Sequence, residues 1–570
     1  MSIVISPARP FARIPGRVRR WGTAAILSVF IAASASTAAH AQQAQLPAAA
    51  ASDPILRALQ AELTRSKAQL KMENVDAPFY IEYRVFDVEQ FDANAAFGSL
   101  RSQNRSRLRL IRAVVRLGDY KIDSFFNAGQ GISDILPLDN DEPAIRHQVW
   151  LASDQAYKRA SEAFSNKKAM LKQLNVDQPV DDFAKAEPVV SIRPAAKLEV
   201  DPAKWTKMLE NATNLYRNDP QIQSLAASLN FTVLSQYFVN TEGTVTRSGS
   251  AHYQIVLNAS EQAPDGMRLE RSPQFTASRI EELPSPEEFQ KDALDLIQGM
   301  KQLREAPVVE EEYRGPVLFS GDAATDMFFE LIVPNVLGRR PAPGRPARTT
   351  GGFASSWKAR VLPDFLTVVD DPTVDVFAGH GLGGNYKVDD EGVSAAPVTV
   401  IDKGTLVNYL IGRVPIRDFP ASNGHGRASG NGNTAPAPGN LFFRPSKTST
   451  RAELKKQLLD ECRTRGLKYG YYVDTLGPRL SPRMLYRVWT DDGHEELVRG
   501  AVFNELDVRA LRSDLVAAGD DPLVSNRTGL PFMTIVSPSV LFDELEVKRA
   551  DNTKEKLPNY PAPALTAGRN

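Results

Sequence analysis

Cysteine is nearly missing from this chain: its 570 residues contain one, Cys462. A lone thiol closes no internal disulfide, so no covalent staple supports the fold in any compartment. It ends the run Leu458-Leu459-Asp460-Glu461-Cys462, near the end of a helical pattern, where a small buried hydrophobe is expected rather than a nucleophile. Histidine is scarce too. His147, His252, His380, His425 and His494 follow residue 41, and no two of them share a metal-chelating spacing. Neither charge sign is in surplus: Lys plus Arg and Asp plus Glu are both 68, so no global field recruits nucleic acid or an anionic surface. No apolar run approaches the roughly 20 residues that cross a bilayer. A serine nucleophile elbow, a phosphate loop and a dinucleotide fingerprint are all lacking.

What the chain has is enough apolar residue, 42%, to build packed cores, and a length that suits two or three domains. Arg17, Arg19 and Arg20, the apolar stretch Gly22 to Ala33 and the small-residue ending Ala39-His40-Ala41 form a processing signal. Residues 1–41 are expected to be a signal peptide, giving an exported chain that starts at Gln42, in a bacterial periplasm.

Local patterns predict an α+β fold. Asp53-Pro54 starts a helix with Leu56, Leu59, Leu63 and Leu70 as its stripe. Period-two alternation from Phe79, with strand-like runs at Leu108–Leu117 and Tyr120–Phe126, predicts an antiparallel meander. A long helix is expected over residues 144–174, and strands at Phe231–Tyr237, Val245–Arg247 and His252–Leu257. Ser285-Pro286-Glu287-Glu288 and Thr450-Arg451-Ala452-Glu453 are capping boxes. The domains expected are 42–304 (α+β), a polar linker 305–314, a β-rich domain 315–550 and a disordered tail 551–570. The Pro-, Gly- and Arg-rich stretch Gly338–Pro346 is expected to be an exposed, mobile loop.

Three segments stand out in the second half. They are Pro363-Asp364-Phe365 through Asp370-Asp371-Pro372-Thr373, then Asp389-Asp390-Glu391-Gly392, then Ser422-Asn423-Gly424-His425-Gly426-Arg427. Their order and spacing resemble the C-terminal half of the TldD/PmbA family, the peptidases once named modulators of DNA gyrase. The resemblance covers roughly residues 52–550 and implies an α+β domain followed by a β-rich domain of the TldD/PmbA type. It further implies a helical His-Glu-x-x-x-His zinc motif and a later cysteine ligand. At the motif's place the chain reads Phe329-Glu330-Leu331-Ile332-Val333-Pro334, and the cysteine's segment reads Asp521 to Pro531 without a cysteine. All three ligands are missing and only Glu330, at the family's glutamate position, is kept as a catalytic candidate. No cofactor is therefore predicted for this chain, and zinc is expected only on a partner subunit.

Gly379-His380-Gly381-Leu382 imitates the tail of the zinc motif but sits in a glycine-rich run, so a loop is expected there. Asp389, Asp390 and Glu391 could hold a hard cation, although an acidic turn explains them as well. In the family their segment lies near the active site. Gly430, Asn431, Gly432 and Thr434 resemble a glycine-rich strand that helps bind peptide, by backbone capture of an extended chain. The implied role is a non-catalytic, PmbA-like partner in proteolysis of unfolded peptides, paired with a TldD-like metal-bearing subunit or with itself. The alternatives are a metallopeptidase with an unrecognised ligand set and a stand-alone envelope peptide-binding or scaffold protein. No nucleic acid and no membrane span after processing are expected.

Overall fold

The computed structural model describes residues 48–125, 131–174, 180–345 and 347–551. The expected signal peptide and all but the first residue of the expected tail lie outside them. The first half is built on one long sheet. Its strands are β1 (Tyr80–Ala96), β2 (Ser99–Arg116), β3 (Ile132–Ile135), β4 (Val190–Ile192), β5 (Ser224–Asn240), β6 (Val245–Gln262), β7 (Arg268–Arg271) and β8 (Gln274–Ala277). They run in the order β3-β2-β1-β5-β6-β4, with β7 and β8 also on β6. Every pairing is antiparallel except β4 with β6.

Alternation assigns the two faces of this sheet. Phe91, Phe231, Tyr253 and Ile255 point to one side, where the helices Pro202–Asn214 and Pro286–Glu305 close a core. On that same side the Tyr83 hydroxyl reaches Ser66 and Ser153 of the helices Pro54–Gln69 and Glu142–Leu174. The expected caps form: Asp53 accepts from Ile55 and Leu56, and Ser285 with Glu288 closes a capping box. The opposite face carries Arg84, Phe86, Leu234 and Gln236 and meets the second half of the chain.

The second half begins with β9 (Tyr313–Phe319), which enters a seven-stranded sheet between the strands Tyr469–Gly477 and Val540–Arg549. A six-stranded sheet contains Val398–Asp402, Leu366–Asp370, Asn440–Pro445, Met533–Ser537 and Leu523–Arg527 in that order. The helix Gly321–Leu331 lies in a core shared by both sheets: Met327 and Phe328 pack there with Val317, Phe319, Phe443 and Ile535. Leu318, one residue out of phase, faces the outer helix Arg451–Thr464 with Leu454 and Leu458. Cys462 is fully buried in that helix, as a small hydrophobe should be.

The structure corrects the expected elements in three places. β2 starts at Ser99, not Leu108: its first ten residues are exposed on both faces, so no hydrophobic alternation marks them. Tyr120–Phe125 is no strand, because Asp119 caps a turn and Asp123 is buried in an ion network. The loop after Gly338 is not free either, since Arg340 clamps Asp182 at 2.7 Å and donates to the Pro415 carbonyl. No helix among the described residues is long and apolar enough to cross a membrane.

Candidate functional site

The helix Gly321–Leu331 follows β9 through Ser320. The Ser320 hydroxyl caps the Ala323 amide and donates to the Asp474 carbonyl. Glycine at 321 is dictated by packing: a Cβ there would lie 2.9 Å from that of Leu523. Ala323, Ala324, Thr325, Met327 and Phe328 face the core. The opposite stripe, Asp322, Asp326, Phe329 and Glu330, follows the i, i+4, i+7, i+8 rule; Asp322 and Glu330 are exposed and Asp326 and Phe329 half-buried.

That stripe faces the strand Leu523–Arg527. Asp326 takes a 2.5 Å hydrogen bond from Arg527, whose guanidinium carbon sits 5.0 Å from the Phe329 ring centroid. Asp322 is exposed to solvent on one side and flanked by Asp326 and Arg527 on the other. Burial first, and the Asp326 charge second, push its carboxyl up to about 6, while Arg527 pulls it back. Glu330 is exposed beyond the Asp326–Arg527 pair, on the last turn. The helix then gives way to a 3₁₀ turn Val333–Asn335 with exposed Pro334.

The residues at the expected zinc positions therefore do not fit the metal. A phenyl ring and a proline offer no donor atom, and the segment Asp521–Pro531 offers no thiolate. Its Asn526 is consumed by Gly381, Gly383 and Thr534. The guanidinium of Arg527 places a fixed positive charge against the first ligand position, which repels a divalent cation. His380 is exposed in a two-residue hairpin whose Gly381 amide donates to Glu282 of the first half. His425 is fully buried, its Nε2 3.0 Å from Asp370. The three-residue group able to surround an ion among the described residues, Asp491, Asp492 and His494, is an exposed hairpin turn.

The acidic triplet and the glycine-rich segment are brought together, but into a joint between the two halves. Asp389 accepts from the amides of Glu391, Val393 and Gly426. Asp390 accepts from Gln236 of β5, from Arg427 and from the Ala428 amide. Glu391 accepts from the Thr434 hydroxyl at 2.8 Å and from the Arg413 amide. The carboxylates are committed to protein donors, and the Asp389 carboxyl is held above its ordinary range by burial and by Glu391.

Residues 430–434 are not an open strand. They turn between the strands Gly426–Ala428 and Thr434–Pro436, with Gly432 at φ +78 and its Cβ position 3.1 Å from Arg112. Arg84 donates to the Gly432 carbonyl (3.0 Å) and to the Asp390 carbonyl, and the Ser133 hydroxyl takes the Asn431 carbonyl. The first half thus already occupies the acceptors that backbone capture of a peptide would use. Of the segment's two glycines, only Gly430 has open space beside it. Beneath this turn Glu82, Arg84, Arg116 and Glu391 line a cavity of about 20 Å³, room for one water.

Three arginines were not singled out from the sequence. Arg84, Arg413 and Arg527 sit in ordinary-looking strand and loop stretches, and only their fully or partly buried positions mark them. Arg413 is fully buried, forked onto Glu242 at 2.7 Å and onto the Ala184 carbonyl.

Residues 312–549 match the family described as PmbA/TldA metallopeptidase C-terminal domain. The chain is 34% identical over 98 residues to a protein named metalloprotease MJ0996 from Methanocaldococcus jannaschii, a match that spans 17% of this chain and 21% of that relative. Its fold is similar to two solved structures. One is the Thermotoga maritima protein TM0727, named for modulation of DNA gyrase (TM-score 0.60, 17% identity, 86% of this chain and 100% of that one). The other is TldE from Thermococcus kodakarensis (TM-score 0.59, 15% identity, 86% and 99%).

Proposed function

The chain belongs to the TldD/PmbA family of metallopeptidase-related proteins, and from that premise we propose that it serves proteolysis of unfolded peptides as a PmbA-like, non-catalytic partner subunit. One observation supports the reading: Arg527, paired with Asp326, lies over the ring of Phe329, the residue at the first position the resemblance assigns to a zinc ligand. A catalytic zinc needs three protein ligands and an open position. Without it, Glu330 has no bound water to activate. What the chain keeps is the scaffold and an acidic helix stripe of Asp322, Asp326 and Glu330. In this reading a metal-bearing TldD-like subunit supplies the chemistry and this chain supplies part of the enclosure for an extended peptide. The site of action is the bacterial periplasm, reached after cleavage behind Ala41.

Elemental analysis and peptide cleavage test the reading together. The purified protein should carry substoichiometric zinc and leave unfolded peptide intact, and a co-purifying relative with an intact His-Glu-x-x-x-His should restore chelator-sensitive cleavage. Near-stoichiometric zinc with cleavage by this chain alone would overturn the proposal. Recovery of a monomer that binds peptide without any partner would favour a stand-alone binding protein. N-terminal sequencing of envelope-fraction protein tests export, for which a chain still starting at Met1 is the contrary result.

A further inference from the structure

β2 pairs with β1 along its length on one side, but on the other side β3 covers only Leu110–Ala113. The Arg109 carbonyl accepts from the Leu136 amide, and beyond it no strand among the described residues meets the outer edge. A bulge at Arg101, opposite the step from Asn94 to Ala95, ends the regular part. The seven residues Ser102–Leu108 thus form an unpaired edge of about 23 Å. Arg109 points its carbonyl outward, so by alternation Arg107, Arg105 and Gln103 also turn their N–H and C=O outward. Natural edges of this length are shortened, covered, or blunted by proline or charged side chains, because they template pairing with another chain; arginines here disfavour a neutral or basic strand and leave an acidic one. This one is exposed on both faces throughout.

The side chains specify what pairs there. On the helix-bearing face stand Arg105 and Arg107, with Arg101 at the bulge; Asp87 and Glu89 offset them only in part, since Asp87 also serves Arg109. On the other face Leu108 continues diagonally into Ile135, and the two are 42% and 61% exposed. A second copy paired edge to edge would bring these arginines close to one another, which is unfavourable. We propose that the Ser102–Leu108 edge of β2 takes an extended strand of another protein whose acidic side chains alternate with apolar ones. The acids lie beside Arg101, Arg105 and Arg107, and an apolar side chain covers Leu108 and Ile135. This proposal does not rest on the proposed function, and a zinc-bearing protein would leave it standing.

Fluorescence anisotropy with a labelled short peptide alternating glutamate and valine provides the test, against the same peptide with lysine for glutamate. The acidic probe should bind the full chain at least about tenfold more tightly than the basic one, with affinity falling as salt rises. The double variant Arg101→Glu/Arg105→Glu should weaken it by about tenfold or more. Gln103→Pro removes an outward N–H while sparing the β1 ladder, and should abolish binding with unchanged circular dichroism. No binding of the acidic probe, equal binding of both probes, or undiminished binding by folded Gln103→Pro would overturn the proposal.

Discussion

His252 gives the sharpest thermodynamic expectation. It lies on β6, 3% exposed, stacked on Phe532 of the second half with ring centroids 4.9 Å apart and planes 16° from parallel. Neither ring nitrogen has a hydrogen-bond partner among the described residues. Burial alone drops its pKa from 6.5 to about 4. The sign follows directly. Above 6.5 both folded and unfolded chains hold a neutral ring, and its full contribution to stability is present. As pH falls from 6.5 toward 4 the unfolded chain gains a proton that the folded one refuses, so stability is lost. At 1.36 kcal/mol per unit the loss reaches about 3 kcal/mol near pH 4. His252→Phe keeps the ring stacking and removes both nitrogens. It should equal or exceed the wild type by about 1–3 kcal/mol at neutral pH, because unpaired buried polar groups are costly. It should also erase the acid-side loss. Urea unfolding of both proteins across that window isolates the effect, since other titrations cancel in the difference. A wild-type-minus-variant difference that stays flat between pH 6.5 and 4 would refute the reasoning.

Arg413→Ala leaves Glu242 with only the neutral donors Tyr120 and Asn240 and leaves the Ala184 carbonyl without its guanidinium, so it should cost about 3–5 kcal/mol in denaturant unfolding. Gly432→Val forces a β-branched residue to φ +78 against Arg112, so it should lower the melting temperature by an amount matching at least about 1–2 kcal/mol. Asp322 retains a proton in the folded state between its ordinary 3.8 and about 6, so its ionisation opposes folding as pH rises through that window. Asp322→Asn should therefore raise the melting temperature relative to wild type above pH 6 and change nothing below 3.8.

Elements with a local signal were legible in the sequence. Both capping boxes and the helix Glu142–Leu174 stand close to where period and cap placed them. The short hairpin around Lys403-Gly404, which pairs Ile401 with Leu406, is set by an equally local turn. The start of β2 was hidden because a strand exposed on both faces has no hydrophobic period to read. On the helix Gly321–Leu331, the absence of donor side chains at Phe329 and Pro334 was plain from the sequence. The guanidinium packed against Phe329 was not, because Arg527 and Phe329 are far apart in sequence and meet only through packing. The glycine-rich segment misled for a related reason. Its composition suits a strand that accepts a peptide and a turn that accepts Arg84 equally well, and only the tertiary partner decides.

The Arg84 contacts bear on how the chain becomes a protein. The carbonyls that receive its guanidinium belong to residues 306 and 348 positions later. The sheet and its four helices possess a hydrophobic core of their own and can collapse early during synthesis. Arg84, 1% exposed in the finished molecule, must wait for Asp390 and Gly432 to be made before its charge is housed. Closing loops of that span is slow and entropically costly. Until residues 390–432 arrive, the first half therefore leaves a mixed face uncovered, Phe86 and Leu234 beside Arg84, and such transiently exposed apolar surface favours association with other chains.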